Sequence, residues 1–232
     1  MLIGDTYITQ TELALEESGL RYTPFEIDLQ NKPEWYAIKV NPAGKVPALA
    51  YGGPRVPPDQ PSSESTKLSE SLIIVEFIAD LAGPGKLLPI DLILRAKARF
   101  FIDTVANTIG SAFSAVAMRG EPTQKILAAI EKIQSLLPVE NYAVGEFTIA
   151  DIAVAPFFAR CEVFLDHGIG LFEEGTGRNV LESLRMDPKF ERYRRYWQDL
   201  QARESFKKTF DRDNFRASFT KKIAGLRAQQ QA

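Results

Sequence analysis

The spacing of apolar and polar residues divides the chain into a first third that mixes helix with strand and a remainder that is helical throughout. Apolar side chains recur at helical spacing before Gly19, which predicts that the first helix ends at Ser18. Residues 21–29 alternate between apolar and polar, the pattern of a half-buried strand. Residues 46–50 are a short apolar run, which predicts a buried strand. The predicted elements are helix 5–18, strand 21–29, helical turn 32–40, strand 46–50, strand 66–68 and helix 72–81.

Beyond a glycine- and proline-rich linker at residues 82–86, every pattern is helical. An apolar-rich helix is predicted over residues 91–119. The helix over residues 149–165 is apolar on almost all sides and should be the buried pillar of this part. We therefore predict an α+β protein of two domains, with an α/β domain over residues 1–82 and an all-α domain over residues 91–232.

Thr148 and Asp151 have the spacing of a capping box at the start of the pillar helix. Thr148 would cap the helix, and Asp151, three residues later, would reach back to the backbone of the cap. Because this role fully accounts for the carboxylate, we assign both residues to structure and not to catalysis.

The amino-acid composition argues against several classes of function: nucleic-acid binding, membrane binding and metal binding are not expected. The 232 residues include 28 Lys and Arg against 30 Asp and Glu, a net charge of −2, so no bulk attraction to nucleic acid or anionic membrane is expected. A single cysteine, Cys161, excludes an intramolecular disulfide, and one Cys with one His leaves no cluster for a metal such as zinc. No signal peptide and no apolar run of bilayer length is recognised, which predicts a cytoplasmic protein.

Residues 192–197 interleave basic and aromatic side chains. Proteins that bind nucleic acid by stacking its bases on aromatic rings can show the same pattern. The neighbouring acids Glu191 and Asp199 dilute the charge. A packed helix that buries its three aromatic residues and leaves its arginines solvated is the favoured interpretation.

The most informative stretch covers residues 41–50, read together with residues 68–71. Pro47 would open its strand and give up one ladder donor, which leaves the backbone of Val46 available to pair with an extended, peptide-like ligand. Ser71 stands where the next helix starts, and the N–H groups of a first helical turn are good partners for a carboxylate. The alternative is a buried strand and a serine-capped helix without a ligand.

The order Asn-Pro-x-Gly-Lys-Val-Pro-Ala-Leu over residues 41–49, with Glu-Ser at residues 70–71, resembles the glutathione-binding half of the glutathione transferases. Thr-Ile-Ala-Asp at residues 148–151 resembles the C-terminal domain of the same family. Residues 25–35 and the proline-rich insertion most resemble the omega class of fungi. The resemblance covers nearly the whole chain, and it implies a thioredoxin-like N-terminal domain, glutathione as substrate or ligand, a small aromatic or hydrophobic second ligand, and a homodimer.

The resemblance also implies roles for single residues. Val46–Pro47 would be a cis peptide, with the Val46 backbone pairing with the cysteinyl unit of glutathione. Glu70 and Ser71 would hold the γ-glutamyl end, the Glu70 carboxylate suiting the α-ammonium. Lys45 would reach the glycyl carboxylate as a point charge.

The N-terminus departs from the family pattern. Asp5, Thr6 and Tyr7 align with the Cys-Pro-Tyr or Ser-Pro-Tyr that carries the family's catalytic residue, and only residues 1–4 precede them, so the first strand is expected to be shortened or missing. An ionised Asp5 accepts hydrogen bonds only and would raise the pKa of a nearby thiol. Thr6, Tyr7 or Thr9 would then have to supply a substitute hydroxyl, although a hydroxyl in a first turn is often a cap.

Three functions remain open at this point. The first is an enzyme that transfers glutathione to an aromatic electrophile, or reduces it with glutathione. The second is a non-catalytic, ligandin-type protein that carries hydrophobic small molecules after loss of the catalytic Cys or Ser. The third is an interaction module whose fold serves mainly for dimerisation.

Overall fold

The computed structural model describes residues 6–29 and 31–231, and its elements follow the predicted order except at one strand. The first third holds α1 (Thr6–Ser18), α2 (Glu34–Lys39), β1 (Ala48–Tyr51), β2 (Thr66–Ser69) and α3 (Ser71–Ala82). The remainder holds α4 (Leu92–Val105), a π turn (Ala106–Gly110), α5 (Ser111–Arg119), α6 (Gln124–Gln134), α7 (Ile149–His167), α8 (Thr176–Met186), a 3-10 turn (Pro188–Phe190), α9 (Glu191–Ala202), α10 (Glu204–Thr209) and α11 (Arg212–Gln231).

The sheet within the described residues consists of β1 and β2. They pair antiparallel, from Ala48 opposite Ser69 to Tyr51 opposite Thr66. β1 begins one residue after Pro47, which has no N–H to donate to a ladder. Because Ala48 pairs with Ser69, the loop before β1 lies beside the residues that lead into α3.

The predicted strand over residues 21–29 is wrong. The chain there is irregular, and the large side chains of Tyr22 and Phe25 are exposed. Alternation predicts an extended chain, but a strand also needs a hydrogen-bonded neighbour, and no described strand lies beside this segment. Residues 1–4, the predicted remnant of a first strand, lie outside the described residues.

Helix α7 is the centre of the core, since 16 of its 19 residues are buried, as its all-round apolar pattern predicts. α1 packs against both α3 and α7, so the mixed first third and the helical remainder share one apolar core. Pro156 lies inside α7 and has no N–H, so the helical hydrogen bond that would go to the carbonyl of Ile152 is missing.

A capping box starts α7. Thr148 Oγ1 accepts from the N–H of Ala150 at 3.3 Å, and Asp151 Oδ2 accepts from the N–H of Thr148 at 2.8 Å. Asp151 Oδ1 also accepts from the Ala143 N–H at 2.9 Å and from the Tyr196 hydroxyl at 2.7 Å. Burial raises the pKa of Asp151 to about 6, against the opposing effect of these hydrogen bonds. The Asp151 carboxylate therefore links a loop, the start of α7 and α9 by hydrogen bonds, which is a structural role.

The aromatic residues of α9 are buried: Tyr193, Tyr196 and Trp197 are at most 7% exposed. Arg192 and Arg194 donate to backbone carbonyl oxygens, so these two arginines are held by the protein and are not simply solvated. The interleaved pattern belongs to a packed helix.

α4, the π turn and α5 form one continuous helix from Leu92 to Arg119, close to the predicted range. By length and composition this helix could cross a membrane, so the expectation of no bilayer-length segment does not hold. In this fold 44% of its apolar window is buried, and α4 and α5 both pack against α7. A π turn inside an α-helix often marks a functional position.

Candidate functional site

The loop before β1 is fixed by its own polar groups. Val46–Pro47 is a cis peptide, as the resemblance implies. The carbonyl oxygen of Lys45 accepts from the Tyr36 hydroxyl at 2.7 Å and from Asn41 Nδ2 at 2.8 Å. Both donors are buried, so the backbone just before the cis peptide has a set position. The Lys45 side chain itself is exposed.

The backbone of Val46 is open. Among the described residues it makes no hydrogen bond, and the ladder with β2 begins only at Ala48. A main-chain N–H and C=O at the end of a sheet are the groups that pair with an extended peptide.

Glu70 stands just before α3 with a left-handed backbone, φ 69°, which is rare for a residue other than glycine. Such a conformation costs about 1–3 kcal/mol and persists where the surrounding structure determines it. The Glu70 side chain is exposed, while the first N–H groups of α3 have no helical partner. A carboxylate and several unpaired N–H donors thus stand at one helix start.

Ser71 joins α3 to α1 and α7 through Gln10. The Ser71 hydroxyl donates to Gln10 Oε1 at 2.9 Å, and Gln10 Nε2 donates to the Ala153 carbonyl at 2.9 Å, both in buried surroundings. A carbonyl only accepts, so the Gln10 nitrogen must face Ala153 and its oxygen must face Ser71. Because a hydroxyl has one proton, the Ser71 oxygen can offer only lone pairs to any further partner.

The family's catalytic position falls at the start of α1. Asp5 lies outside the described residues. Thr6 is fully buried, and its hydroxyl accepts a hydrogen bond from Arg160 Nη1. Thr9 is also fully buried, and its hydroxyl has no hydrogen-bond partner among the described residues. Tyr7 is 51% exposed and lines a cavity, so it is the described hydroxyl of the motif that a ligand can reach.

That cavity, about 460 Å³ in volume, lies where α1, the start of α3, the long helix and α7 meet. Its polar and charged wall includes Tyr7, Gln10, Arg119 and Arg160. The π turn contributes to the wall as well. Most of the remaining wall is apolar, from Leu72, Ile102, Val105, Phe113, Met118 and Phe157. A cavity of this size and lining suits a small aromatic molecule.

Arg160 is held among three aromatic rings. Its guanidinium carbon lies 5.0, 5.4 and 4.9 Å from the ring centroids of Phe113, Phe215 and Phe219. These are cation–π distances, and they connect α7 with α5 and α11. The arginine is 9% exposed and reaches both the cavity and Thr6.

Gln10 and Arg160 are the site residues that sequence reasoning missed. An arginine inside the apolar run of residues 149–165 is a usable signal, because a buried charge needs a specific reason. Gln10 carries no comparable signal, since its partners are set only by the packing of α1. Across residues 6–29 and 31–231 no group of three or more His, Cys, Asp or Glu side chains gathers as metal ligands do.

The cis-proline loop, the left-handed residue before α3 and the cavity against the helical part define a glutathione transferase fold. The family model for the glutathione S-transferase N-terminal domain matches residues 6–86. The chain belongs to the glutathione transferase family. The predicted fold class, with its thioredoxin-like first part and helical second part, and the resemblance to fungal omega-class proteins are confirmed by this match and by solved structures.

Glutathione transferase Omega 1C from Trametes versicolor is 49% identical, with 97% of this chain and 94% of that chain aligned and a TM-score of 0.91. Omega 2S from the same organism, solved in complex with 2,4-dihydroxybenzophenone, is 43% identical over 95% of this chain and 94% of that one, with a TM-score of 0.85. Among curated proteins, Protein IN2-1 homolog B of Oryza sativa subsp. indica is 31% identical over 163 residues, 67% of this chain. That alignment spans 60% of the rice protein's length.

Proposed function

We propose that the protein binds glutathione along the loop that ends at Pro47 and at the start of α3, and transfers its sulfur to an aromatic electrophile in the cavity. The observation that carries this proposal is the open backbone of Val46 beside the cis peptide. The pairing of Ala48 with Ser69 supports it, because continuing this register brings Val46 beside the start of α3.

The parts of glutathione find matching groups here. The cysteinyl main chain pairs with the Val46 backbone, and the glycyl carboxylate meets Lys45. The γ-glutamyl carboxylate takes the free N–H groups of the first turn of α3. Its α-ammonium lies between the Glu70 carboxylate and the Ser71 oxygen, which offers a lone pair because its proton goes to Gln10.

Tyr7 is the residue to which we assign the chemistry. In transfer, the thiolate sulfur forms a bond to the electrophilic ring carbon, the leaving group departs with the electron pair of the broken bond, and the thiol proton goes to solvent. In the alternative reduction, two molecules of glutathione are oxidised to one glutathione disulfide, and their two electrons and two protons pass to the aromatic ligand. A hydroxyl that donates to the thiolate lowers the thiol pKa, and Tyr7 reaches the cavity whereas Thr6 and Thr9 are buried.

Thermal unfolding with and without glutathione tests the binding half of the proposal. A ligand that binds only the native state stabilises it by about 2.7 kcal/mol at one hundred times its Kd, which raises the melting temperature. N-acetylcysteine, a thiol without the γ-glutamyl and glycyl ends, is the control and should give no shift. Equal melting temperatures with and without saturating glutathione would contradict the proposal.

Turnover of 1-chloro-2,4-dinitrobenzene tests the chemical half. Tyr7→Phe removes the hydroxyl and keeps the ring, so kcat/KM should fall about 10²-fold, the usual loss for one donor to a developing anion. The Kd for glutathione should stay within about twofold of the parent value, since the ring and the loop are unchanged. A Tyr7→Phe protein as active as the parent would remove Tyr7 from the mechanism.

A non-catalytic carrier is the second candidate, because Thr6 is buried and already accepts a hydrogen bond from Arg160. The complex of the Trametes Omega 2S protein with 2,4-dihydroxybenzophenone supports an aromatic ligand in either case. Binding of glutathione and of this benzophenone without any turnover would favour the carrier.

The homodimer is proposed from apolar side chains left exposed on neighbouring helices. Arg99 of α4 pairs with Glu76 of α3, so these helices share one face. Exposed apolar residues of α3 and α4 include Ile73 (58%), Leu92 (74%), Ile93 (68%) and Phe100 (60%). Sedimentation should show a dimer for the parent and monomers for Phe100→Glu, because a buried charge opposes association. A monomeric parent at micromolar concentration would contradict the dimer.

The location we propose is the cytoplasm. The fold is shared with glutathione transferase Omega 1C, and the bilayer-length helix Leu92–Arg119 packs against α7, which supports this location. Cell fractionation should place the protein in the high-speed supernatant, and recovery in a salt-washed membrane pellet would contradict this.

A further inference from the structure

The long helix Leu92–Arg119 contains one glycine, Gly110, at the end of its π turn. The backbone of Gly110 is ordinary helix, with φ −61° and ψ −48°, a conformation that every residue adopts easily. Inside a helix glycine is less favourable than any residue except proline, because it loses the most backbone freedom on folding. The local backbone therefore does not account for this glycine.

The ring of Phe157, on α7, lies against Gly110. A Cβ atom placed on Gly110 would be 3.4 Å from both Cε1 and Cζ of that ring, and the next nearest atom, the carbonyl oxygen of Val105, would be 3.8 Å away. At these distances a methyl group just fits against the ring. A longer side chain would have to displace the ring or extend into the open space beside it.

That open space belongs to the cavity, because Gly110 and Phe157 both line it. On the long helix, the wall residues before and after Gly110 include the larger Ile102 and Phe113. Gly110 therefore leaves a recess in the wall, with helix backbone as its floor and the Phe157 ring at its side. An aromatic ring of a ligand can enter such a recess and pack against Phe157.

We infer that Gly110 determines the size of the aromatic ligand, because the recess beside Phe157 takes the second ring of a two-ring compound. The inference rests on the proposed function only in taking the cavity as the site of the second ligand. A side chain at position 110 would fill the recess itself or press the Phe157 ring into the cavity. Either change removes the space for the second ring and leaves the space for the first.

A matched pair of ligands tests the inference. 4-Hydroxybenzophenone and 4-hydroxyacetophenone share a phenol and a ketone, and they carry a phenyl or a methyl group on the carbonyl carbon. Calorimetry without glutathione gives both Kd values. The parent protein should bind the benzophenone at least about tenfold more tightly, as burial of the additional ring carbons predicts. A parent protein that binds neither ligand, or binds both equally, would overturn the inference.

Variants assign the size preference to a residue. Gly110→Leu should weaken benzophenone binding at least about tenfold and change the Kd of the acetophenone by less than about threefold. Asn107→Leu is the matched control, because Asn107 lies in the same π turn but is exposed and is not among the described residues that line the cavity. It should keep both parent Kd values within about twofold.

Three results would contradict the role of Gly110. They are an undiminished preference for the benzophenone in Gly110→Leu, an equal weakening of both ligands in that variant, and a loss of the preference in Asn107→Leu.

Gly110→Ala covers the case in which the leucine variant does not fold. Alanine is the better helix former and its methyl group fits against the Phe157 ring, so the melting temperature should rise by about 2–4 °C. The same methyl group occupies part of the recess, so benzophenone binding should weaken at least about threefold. An alanine variant that is more stable and binds the benzophenone as the parent does would overturn the inference. The ligand pair is measured without glutathione, so a failed glutathione shift would reject the proposed function and leave this result standing.

Discussion

The two parts of the candidate site, the segments around the cis peptide and the cavity, are built in different ways. The glutathione wall, formed by Val46–Pro47 and Glu70–Ser71, presents mainly backbone groups from two segments that the β1–β2 pairing brings together. The side-chain wall, formed by α1, the long helix and α7, presents side chains from distant parts of the chain. Gln10 reaches Ala153 across 143 residues, and Arg160 reaches Thr6 across 154.

This contrast predicts how each wall responds to substitution. Backbone donors survive most side-chain changes, so the glutathione wall should tolerate sequence drift as long as its conformation is kept. The side-chain wall changes its charge, shape and chemistry with single substitutions. If the proposed function is correct, glutathione would bind at the wall that tolerates substitution, and the second ligand would bind at the wall that single substitutions can change.

The largest expected effect comes from placing a cysteine at residue 5, the position that aligns with the family's catalytic residue. In a Cys161→Ala background, Asp5→Cys should form a mixed disulfide with oxidised glutathione, because the positive end of α1 lowers the pKa of a cysteine at its start. Mass spectrometry would detect the adduct in this variant and no adduct in the parent protein.

The parent is the control for this experiment. Burial raises the pKa of the Cys161 thiol to about 12, so that residue should give no adduct. An Asp5→Cys variant that binds glutathione yet forms no adduct would show that the start of α1 does not face the glutathione wall, and the alignment of Asp5 with the catalytic position would be abandoned.

Asp151→Ala should lower the free energy of unfolding by about 3–5 kcal/mol, because it strands the buried donors of Ala143, Thr148 and Tyr196. Neither wall contains Asp151, so the glutathione Kd of the folded fraction should be unchanged. Urea unfolding followed by tryptophan fluorescence measures the loss. A variant that unfolds like the parent would mean that the three donors find other partners.

Ser71→Ala should weaken glutathione binding by about 1–3 kcal/mol, since it deletes the oxygen that accepts from the α-ammonium. Isothermal calorimetry gives the Kd. Gln10→Met removes the acceptor of the Ser71 proton and the donor to Ala153 but leaves the Ser71 oxygen in place, so it should weaken glutathione binding less.

A glutathione analogue without the α-amino group distinguishes the two roles of Ser71. With it, Ser71→Ala and the parent should bind alike, because the oxygen then has no ammonium to meet. An undiminished loss would mean that Ser71 serves the carboxylate instead.

The smallest effect is expected at Thr148. Thr148→Ala removes a helix cap and should cost about 1 kcal/mol of stability with the glutathione Kd unchanged. Thermal and urea unfolding give the stability. If binding fell by more than stability did, the roles of the two hydroxyls at Ser71 and Thr148 would have to be exchanged.

The contiguous features of the fold could be predicted from the sequence. Thr148 and Asp151 form a capping box within four residues, and Val46–Pro47 stands in one short motif, so local chemistry is enough to find both. Residues 21–29 could not be predicted, because alternation describes one strand while a sheet requires a second one beside it. The local pattern does not contain that partner.

In the candidate site, too, local features could be predicted from the sequence and long-range contacts could not. The position of Ser71 follows from the helix start, but the direction of its proton depends on Gln10, whose own orientation depends on a carbonyl of α7. Arg160 is a charged residue in an apolar run of the sequence, but its surroundings are set by aromatic rings of α5 and α11. Contacts between side chains that are far apart in the chain follow no fixed sequence spacing, so they could not be predicted from the sequence.

The π turn at Ala106–Gly110 holds one residue more than an α-helical turn, so α5 is rotated by about 100° from a straight continuation of α4. Phe113 and Ser114 line the cavity in this rotational phase. Deleting a single residue from the turn would swing both away and bring other side chains of α5 to the cavity. A duplicated gene could thus acquire a different second ligand by losing one codon, without a change anywhere in the glutathione wall.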